Sequence, residues 1–158
     1  VQAQLSARVW IWGTLLTVLA VIGVVVWIVI AGLWKIGAAL SSDTQSFVRF
    51  NPAVLIGPPE FDLTYGKDVT DLSVFIVKDS QGDVLWTLSG NNSLTPPKVV
   101  YGTLPAGPAG SWKQDFPLDN KAPRDIRGKS IQVEIDCRYN IALGPGHQRN
   151  DAEFDIPK

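Results

Sequence analysis

Residues 130–140 read Ser-Ile-Gln-Val-Glu-Ile-Asp-Cys-Arg-Tyr-Asn, and their alternation is strict. Ile131, Val133, Ile135, Cys137 and Tyr139 fall on one parity, Gln132, Glu134, Asp136 and Arg138 on the other. Successive side chains of a β-strand project to opposite faces, so this period of two predicts a strand with one face on a core and one in water. A helix would scatter the same apolar set around its circumference.

Outward from this strand the chain consists of similar short runs, broken by Gly, Pro, Asn and Asp. Residues 71–78 and 84–88, joined by Asp79-Ser80-Gln81-Gly82-Asp83, have the pattern of a β-hairpin with a glycine-containing turn. Trp86, flanked by Leu85 and Leu88, is the expected core residue of its second strand. Further strands are predicted over residues 47–50, 53–56, 61–65, 98–103, 112–116 and 152–156, and no segment after residue 43 carries a long helical stripe. Many short strands separated by turn residues predict an all-β domain, an antiparallel β-sandwich of immunoglobulin-like or transthyretin-like kind. Cys137 is the only cysteine, so an intrachain disulfide is impossible and the cysteine pair of antibody domains is absent. The Pro and Gly stretches over residues 57–60, 95–98, 104–110 and 144–147 are expected as surface loops.

Upstream the pattern changes. Residues 9–34, VWIWGTLLTVLAVIGVVVWIVIAGLW, form a run of 26 without one charged side chain, bounded by Arg8 and Lys35. At a rise of about 1.5 Å per residue the run reaches roughly 39 Å as a helix, beyond the ~30 Å hydrocarbon core of a bilayer. It is apolar on every face, whereas a helix on a soluble core keeps a polar stripe. A single N-terminal transmembrane helix is predicted, continuing to Leu40 and stopping near Ser41, Ser42 and Asp43. Trp10 and Trp12 at one end and Trp34 at the other suit the membrane interface, where an indole keeps its ring in the acyl boundary and its N–H among head groups. Trp27 lies well inside the span, and Gly13, Thr14, Thr17, Ala20 and Gly23 offer small surfaces for a second helix. The expected organisation is a short tail over residues 1–8, the transmembrane helix and its extension over 9–40, a linker over 41–46 and the β-sandwich over 47–158.

The sequence contains no Met and begins at Val1. An apolar run of this length is about twice the ~7–15 residues of a cleavable signal peptide, so retention as a signal-anchor is expected. No ionisable group lies in the run, which argues against a proton relay, an ion path or a histidine-ligated cofactor in the helix. Arg8 on one side and Lys35 and Arg49 on the other leave the positive-inside count near a tie. A short tail, one anchor and a C-terminal domain favour a single-pass inner (plasma) membrane protein with a cytoplasmic N-terminus and a periplasmic or extracytoplasmic domain.

Residues 41–158 hold 12 Lys and Arg against 15 Asp and Glu, a formal charge of −3. Lys113, Lys121, Arg124, Arg127 and Lys129 are interleaved with Asp115, Asp119 and Asp125, so no clustered basic face forms and no nucleic-acid partner is expected. Cys137 sits on the apolar parity of its strand, where a thiol acts as a small core residue rather than a nucleophile. His147 is the single imidazole, in a Gly-Pro-Gly-His stretch, and cannot assemble a zinc or copper site without further His or polar Cys. Asp62, Asp68, Asp71, Asp79 and Asp83 could suggest calcium, but their spacing is not that of an EF-hand and Asp is a common turn residue. Asn91-Asn92-Ser93 matches a glycosylation acceptor. No nucleophile elbow, P-loop, dinucleotide fingerprint or HExxH helix is present.

No enzyme activity, catalytic residue, metal or cofactor is therefore expected. The leading expectation is a non-catalytic, membrane-anchored accessory subunit docking on and stabilising a larger integral membrane complex, such as a photosynthetic or respiratory assembly. The alternative is a free-standing anchored binding module that recognises a ligand, glycan or peptide through loops over residues 104–110 and 141–148.

Overall fold

The computed structural model describes the backbone of residues 2–51, 57–90 and 94–158, with side chains from residue 16 onward other than those of residues 39 and 120. The strand expected over residues 53–56, the Asn91-Asn92-Ser93 triplet and the side chains of Trp10, Trp12, Gly13 and Thr14 lie outside the described residues. The chain divides into two compact units, Val1–Ser41 and Ser42–Lys158.

The first unit is one helix, α1 (Gln2–Leu40). Most of the tail expected over residues 1–8 is thus helical, because Gln, Ala, Leu and Arg there are good helix formers with no breaker among them. The Leu16–Ala38 stretch is long and apolar enough to cross a membrane. The helix ends where the sequence turns polar: the Ser41 amide donates to the Gly37 carbonyl at 3.2 Å and the Ser41 hydroxyl to the Ala38 carbonyl at 3.0 Å. Both bonds occupy carbonyls that the helix end would otherwise leave open.

The second unit contains eight strands among the described residues: β1 (Ser46–Asn51), β2 (Glu60–Tyr65), β3 (Val69–Asp79), β4 (Val84–Gly90), β5 (Lys98–Val100), β6 (Trp112–Phe116), β7 (Ser130–Ile141) and β8 (Gly144–Asp155). They form two antiparallel sheets in a sandwich-like all-β domain, one in the order β1-β2-β5 and the other β6-β4-β3-β7-β8. Aromatic rings cross from sheet to sheet in a continuous file. Centroids step from Phe50 to Phe61 at 6.0 Å, Phe61 to Phe75 at 5.7 Å, Phe75 to Trp86 at 5.9 Å and Trp86 to Tyr101 at 5.4 Å. Phe61, Phe75 and Trp86 are fully buried, each contributing about 1.5–3 kcal/mol of transfer free energy, and their tilted or edge-on contacts add about 0.5–1.5 kcal/mol per pair.

The parity of β7 is as its sequence predicts, with Ile131, Val133, Ile135 and Cys137 all buried. Tyr139 keeps the same parity near the end of the strand, half-buried between exposed Arg138 and Asn140, and its ring lies against Gly146 across the ladder. β5 stops at Val100, short of the expected residue 103, because Gly102 at φ +76° opens a turn closed by the Thr103 amide on the Val100 carbonyl at 3.0 Å.

The largest correction concerns residues 144–147, expected as a loop and found inside β8. The ladder runs without a break from Ser130 opposite Asp155 to Ile141 opposite Gly144, leaving only residues 142–143 to turn the chain. Gly144 at φ +119° supplies the backbone such a tight turn requires. Gly146 makes room for the Tyr139 ring, and Pro145 is tolerated because β8 is an edge strand. The binding loop considered over residues 141–148 is therefore a two-residue turn and a strand.

Candidate functional site: a helix face and a polar sheet face

Each unit presents one face on which chemically distinctive residues converge. On α1, at about 100° per residue, Thr17, Ala20, Gly23, Trp27 and Trp34 project within an arc of roughly 120°. Ile22, Val25, Val26, Val29, Leu33 and Ile36 fill the opposite side. Of the positions that sequence reasoning selected for helix packing, Gly13, Thr17, Ala20, Gly23 and Trp27 are brought together by their place in the backbone, while Thr14 falls outside that arc. Trp27 is 71 % exposed and a side chain built on Gly23 would meet nothing, so this face has a protruding indole beside a shallow step. Small residues beside an aromatic allow close approach of another helix.

On the domain, the outward face of the five-stranded sheet carries a ladder of ion pairs. Its first rung is made by a bulge in β3: Leu72 lies opposite Cys137 and Val74 opposite Asp136, leaving Ser73 as the extra residue. The Asp71 carboxylate, buried, accepts from the Arg138 Nε at 2.9 Å and from the Ser73 hydroxyl at 3.1 Å. Glu134, also buried, lies between Lys78, 2.7 Å from its carboxylate, and Arg149 of β8. His147 Nδ1 approaches Asp136 Oδ1 at 3.3 Å, and Gln132 Nε2 donates to Asp151 Oδ2 at 3.0 Å. Acids and bases alternate closely along this face, and Glu134 is balanced by the cations of Lys78 and Arg149.

The carboxylates weighed for calcium do not converge. Asp79 Oδ1 accepts the amides of Gln81 and Asp83, each at 2.9 Å, and so fixes the β3–β4 turn. Asp68 Oδ2 accepts the Asp43 amide at 2.7 Å, Asp71 is committed to Arg138, and Asp62 stands opposite Lys98 in the small sheet. Among the described residues no group of three or more His, Cys, Asp or Glu is placed to hold a metal ion.

Cys137 is fully buried. Burial pushes its thiol above the usual range, opposed by the adjacent Ser46 hydroxyl and reinforced by the Asp136 and Asp71 charges. A thiol held neutral in this way is a poor nucleophile. Burial likewise raises the Tyr65 and Tyr101 hydroxyls, which donate to the carbonyls of Pro96 at 2.9 Å and Arg124 at 3.0 Å.

A surface hollow of about 480 Å³ lies between residues 57–59, 101–103 and 122–127. Of the charged residues that line it, Arg124, Asp125 and Arg127, the last two pair with each other: hydrogen bonds from Arg127 hold the Asp125 carboxyl down to about 2. A second, half-buried network was invisible in the sequence. Gln114 accepts from Trp86 Nε1 at 3.0 Å and donates to the carbonyls of Pro117 and Lys121, both at 2.8 Å, tying the core indole to the turn over Leu118–Asn120. These links join residues 28 and 67 apart in sequence, Trp86 with Gln114 and Asp71 with Arg138, and only the fold reveals them.

No protein-family model, curated protein or solved structure matches this chain, so the reading of its function rests on the helix face, the sheet face and the closed core of the domain.

Proposed function

We propose that this chain is a non-catalytic, membrane-anchored accessory subunit that docks through α1 on a larger integral membrane complex. The observation that carries the reading is the gathering of Thr17, Ala20, Gly23 and Trp27 on one face of a helix whose other face is branched aliphatic. Lipid tails make no distinction between the two faces, but a neighbouring helix does, because van der Waals packing and close approach drive association inside a bilayer. The domain supports the same role. Its buried carboxylates, Asp71 and Glu134, are held in internal ion pairs, and its one thiol is buried and neutral. In this reading the helix crosses the inner (plasma) membrane once, with the N-terminus cytoplasmic and the β-domain periplasmic or extracytoplasmic. A photosynthetic or respiratory assembly is a partner of suitable kind.

Native electrophoresis and mass spectrometry after solubilisation in mild detergent test the proposal. The chain should migrate with a larger complex, and enlarging the small face by Ala20→Leu or Gly23→Leu should release it, while Val25→Leu on the opposite face should not. Migration without partners in gentle detergent, or equal tolerance of all three changes, would overturn it.

A further inference from the structure

We infer that β8 is a self-complementary edge through which two copies of this chain join their five-stranded sheets. The inference goes beyond the docking of α1 and is independent of it. β8 is a twelve-residue edge strand, paired with β7 on one side. Among the described residues no backbone group pairs with its other side. The Ile156 amide donates to the Lys129 carbonyl at 2.9 Å, one step beyond the unbroken β7–β8 ladder. Backbone groups of a strand alternate in direction, so Phe154, Ala152, Asn150 and Gln148 turn theirs toward β7. His147, Arg149, Asp151, Glu153 and Asp155 therefore turn their N–H and C=O groups to the open edge. A long edge of this kind is a template for strand pairing.

The sequence of that edge fits its own antiparallel copy. The same odd-numbered residues are the exposed ones, basic in the first half, His147 and Arg149, and acidic in the second, Asp151, Glu153 and Asp155. Two copies related by a two-fold axis through Asn150 place Arg149 opposite Asp151 and His147 opposite Glu153, twice each. On the other face Gly146 meets Phe154 and Gln148 meets Ala152, small opposite large. Odd residues pair with odd in this register, so each pair exchanges backbone bonds, giving roughly ten across the junction, the number a standard interface carries. Moving the axis by one residue along β8 sets Arg149 opposite its own copy in one direction or Asp151 opposite its own copy in the other, and like charges directly opposed destabilise a ladder. Half steps leave the backbone groups unmatched. The Arg149 and His147 side chains are 60 % and 57 % exposed, so their contacts with Glu134 and Asp136 leave both accessible to a second strand. The charges that protect a lone edge from indiscriminate pairing here select one partner and one register.

Sedimentation of the full chain in detergent micelles, with the detergent mass subtracted, tests this. The unaltered chain should sediment as a dimer, and R149E and D151R, each placing like charges opposite one another twice, should each lower the protein mass by about half. The double variant R149E/D151R should regain the dimer, as should an equimolar mixture of the two single variants, because each again sets an acid opposite an arginine at both 149/151 oppositions. A protein mass unmoved by either single exchange would overturn the inference, whether that mass corresponds to one copy or two. So would dissociation by both single exchanges with no recovery in the double variant and the mixture.

Discussion

Gly90 on β4 and Trp112 on β6 stand directly opposite one another, and the indole occupies the volume that a side chain at position 90 would need. A β-carbon there would lie 2.5 Å from the Leu72 carbonyl oxygen and 2.6 Å from the Trp112 ring. Neither neighbour is free to move, since one is backbone and the other is buried.

Gly90→Ala should accordingly destabilise the domain by about 1–3 kcal/mol, the usual cost of overpacking. Gly146→Ala is the instructive comparison. Its β-carbon would meet the Tyr139 hydroxyl and lie 2.5 Å from a ring carbon, but that side chain is only half-buried and can swing toward solvent. It should cost less than about 1 kcal/mol. Urea unfolding of the two variants decides the matter, and equal losses would mean that the Tyr139 ring is fixed.

Gln114→Ala removes the acceptor of a buried indole N–H and the donor to two carbonyls at once. A loss of about 1–3 kcal/mol is expected, the penalty for leaving such groups unsatisfied. In the Gln114→Ala background Trp86→Phe should cost less than it does alone. A double-mutant cycle measures that coupling, expected at about 0.5–3 kcal/mol for residues in one network.

Arg138→Ala leaves the buried Asp71 carboxylate with the Ser73 and Thr70 hydroxyls in place of a cation. Breaking a fully buried pair costs about 3–5 kcal/mol. The Arg138 side chain is 44 % exposed and partly screened, so about 1–3 kcal/mol is expected. Asp71→Asn should cost less, because it removes the stranded charge and keeps a hydrogen-bonding side chain. Thermal unfolding of both variants at neutral pH checks the order.

Alkaline conditions should destabilise the domain in two stages. Folding raises the Cys137 thiol, and an acid raised on folding stabilises the fold only while the unfolded chain also keeps its proton. That contribution is complete below about pH 8.5, the ordinary cysteine value, and falls as pH rises through and beyond it. Tyr65 and Tyr101, raised in the same way, add a second loss above about pH 10. Urea midpoints measured from neutral to alkaline pH should show both stages, and Cys137→Ala should abolish the first alone. A midpoint that rises across this range would contradict the assignment.

The inward parity of Ile131 through Cys137 was legible because β7 is an interior strand with an unbroken partner on one side, so its faces obey a simple period. Trp86 was legible for a related reason, a large apolar residue between two leucines on a strand pattern. β8 was not, because Gly144, Pro145 and Gly146 are turn residues by local preference and become strand only against β7 and the Tyr139 ring. The bulge at Ser73 hid the faces of β3, and with them the Asp71 and Arg138 pair, since an extra residue reverses the alternation on which a sequence reading depends. The helix positions were selected one by one, and the regular turn of α1 then placed all of them but Thr14 on a common face without further information.

The side-chain amide of Asn150 donates to the backbone carbonyl of Ser46 at 2.8 Å, across 104 positions of sequence. That bond joins the first strand of the domain in sequence, β1, to β8. At roughly 5–20 residues per second, several seconds pass between synthesis of the two. The domain therefore cannot close until seconds after its first strand is made, and until then the Ser46 carbonyl lacks the amide that ties the two ends of the fold together.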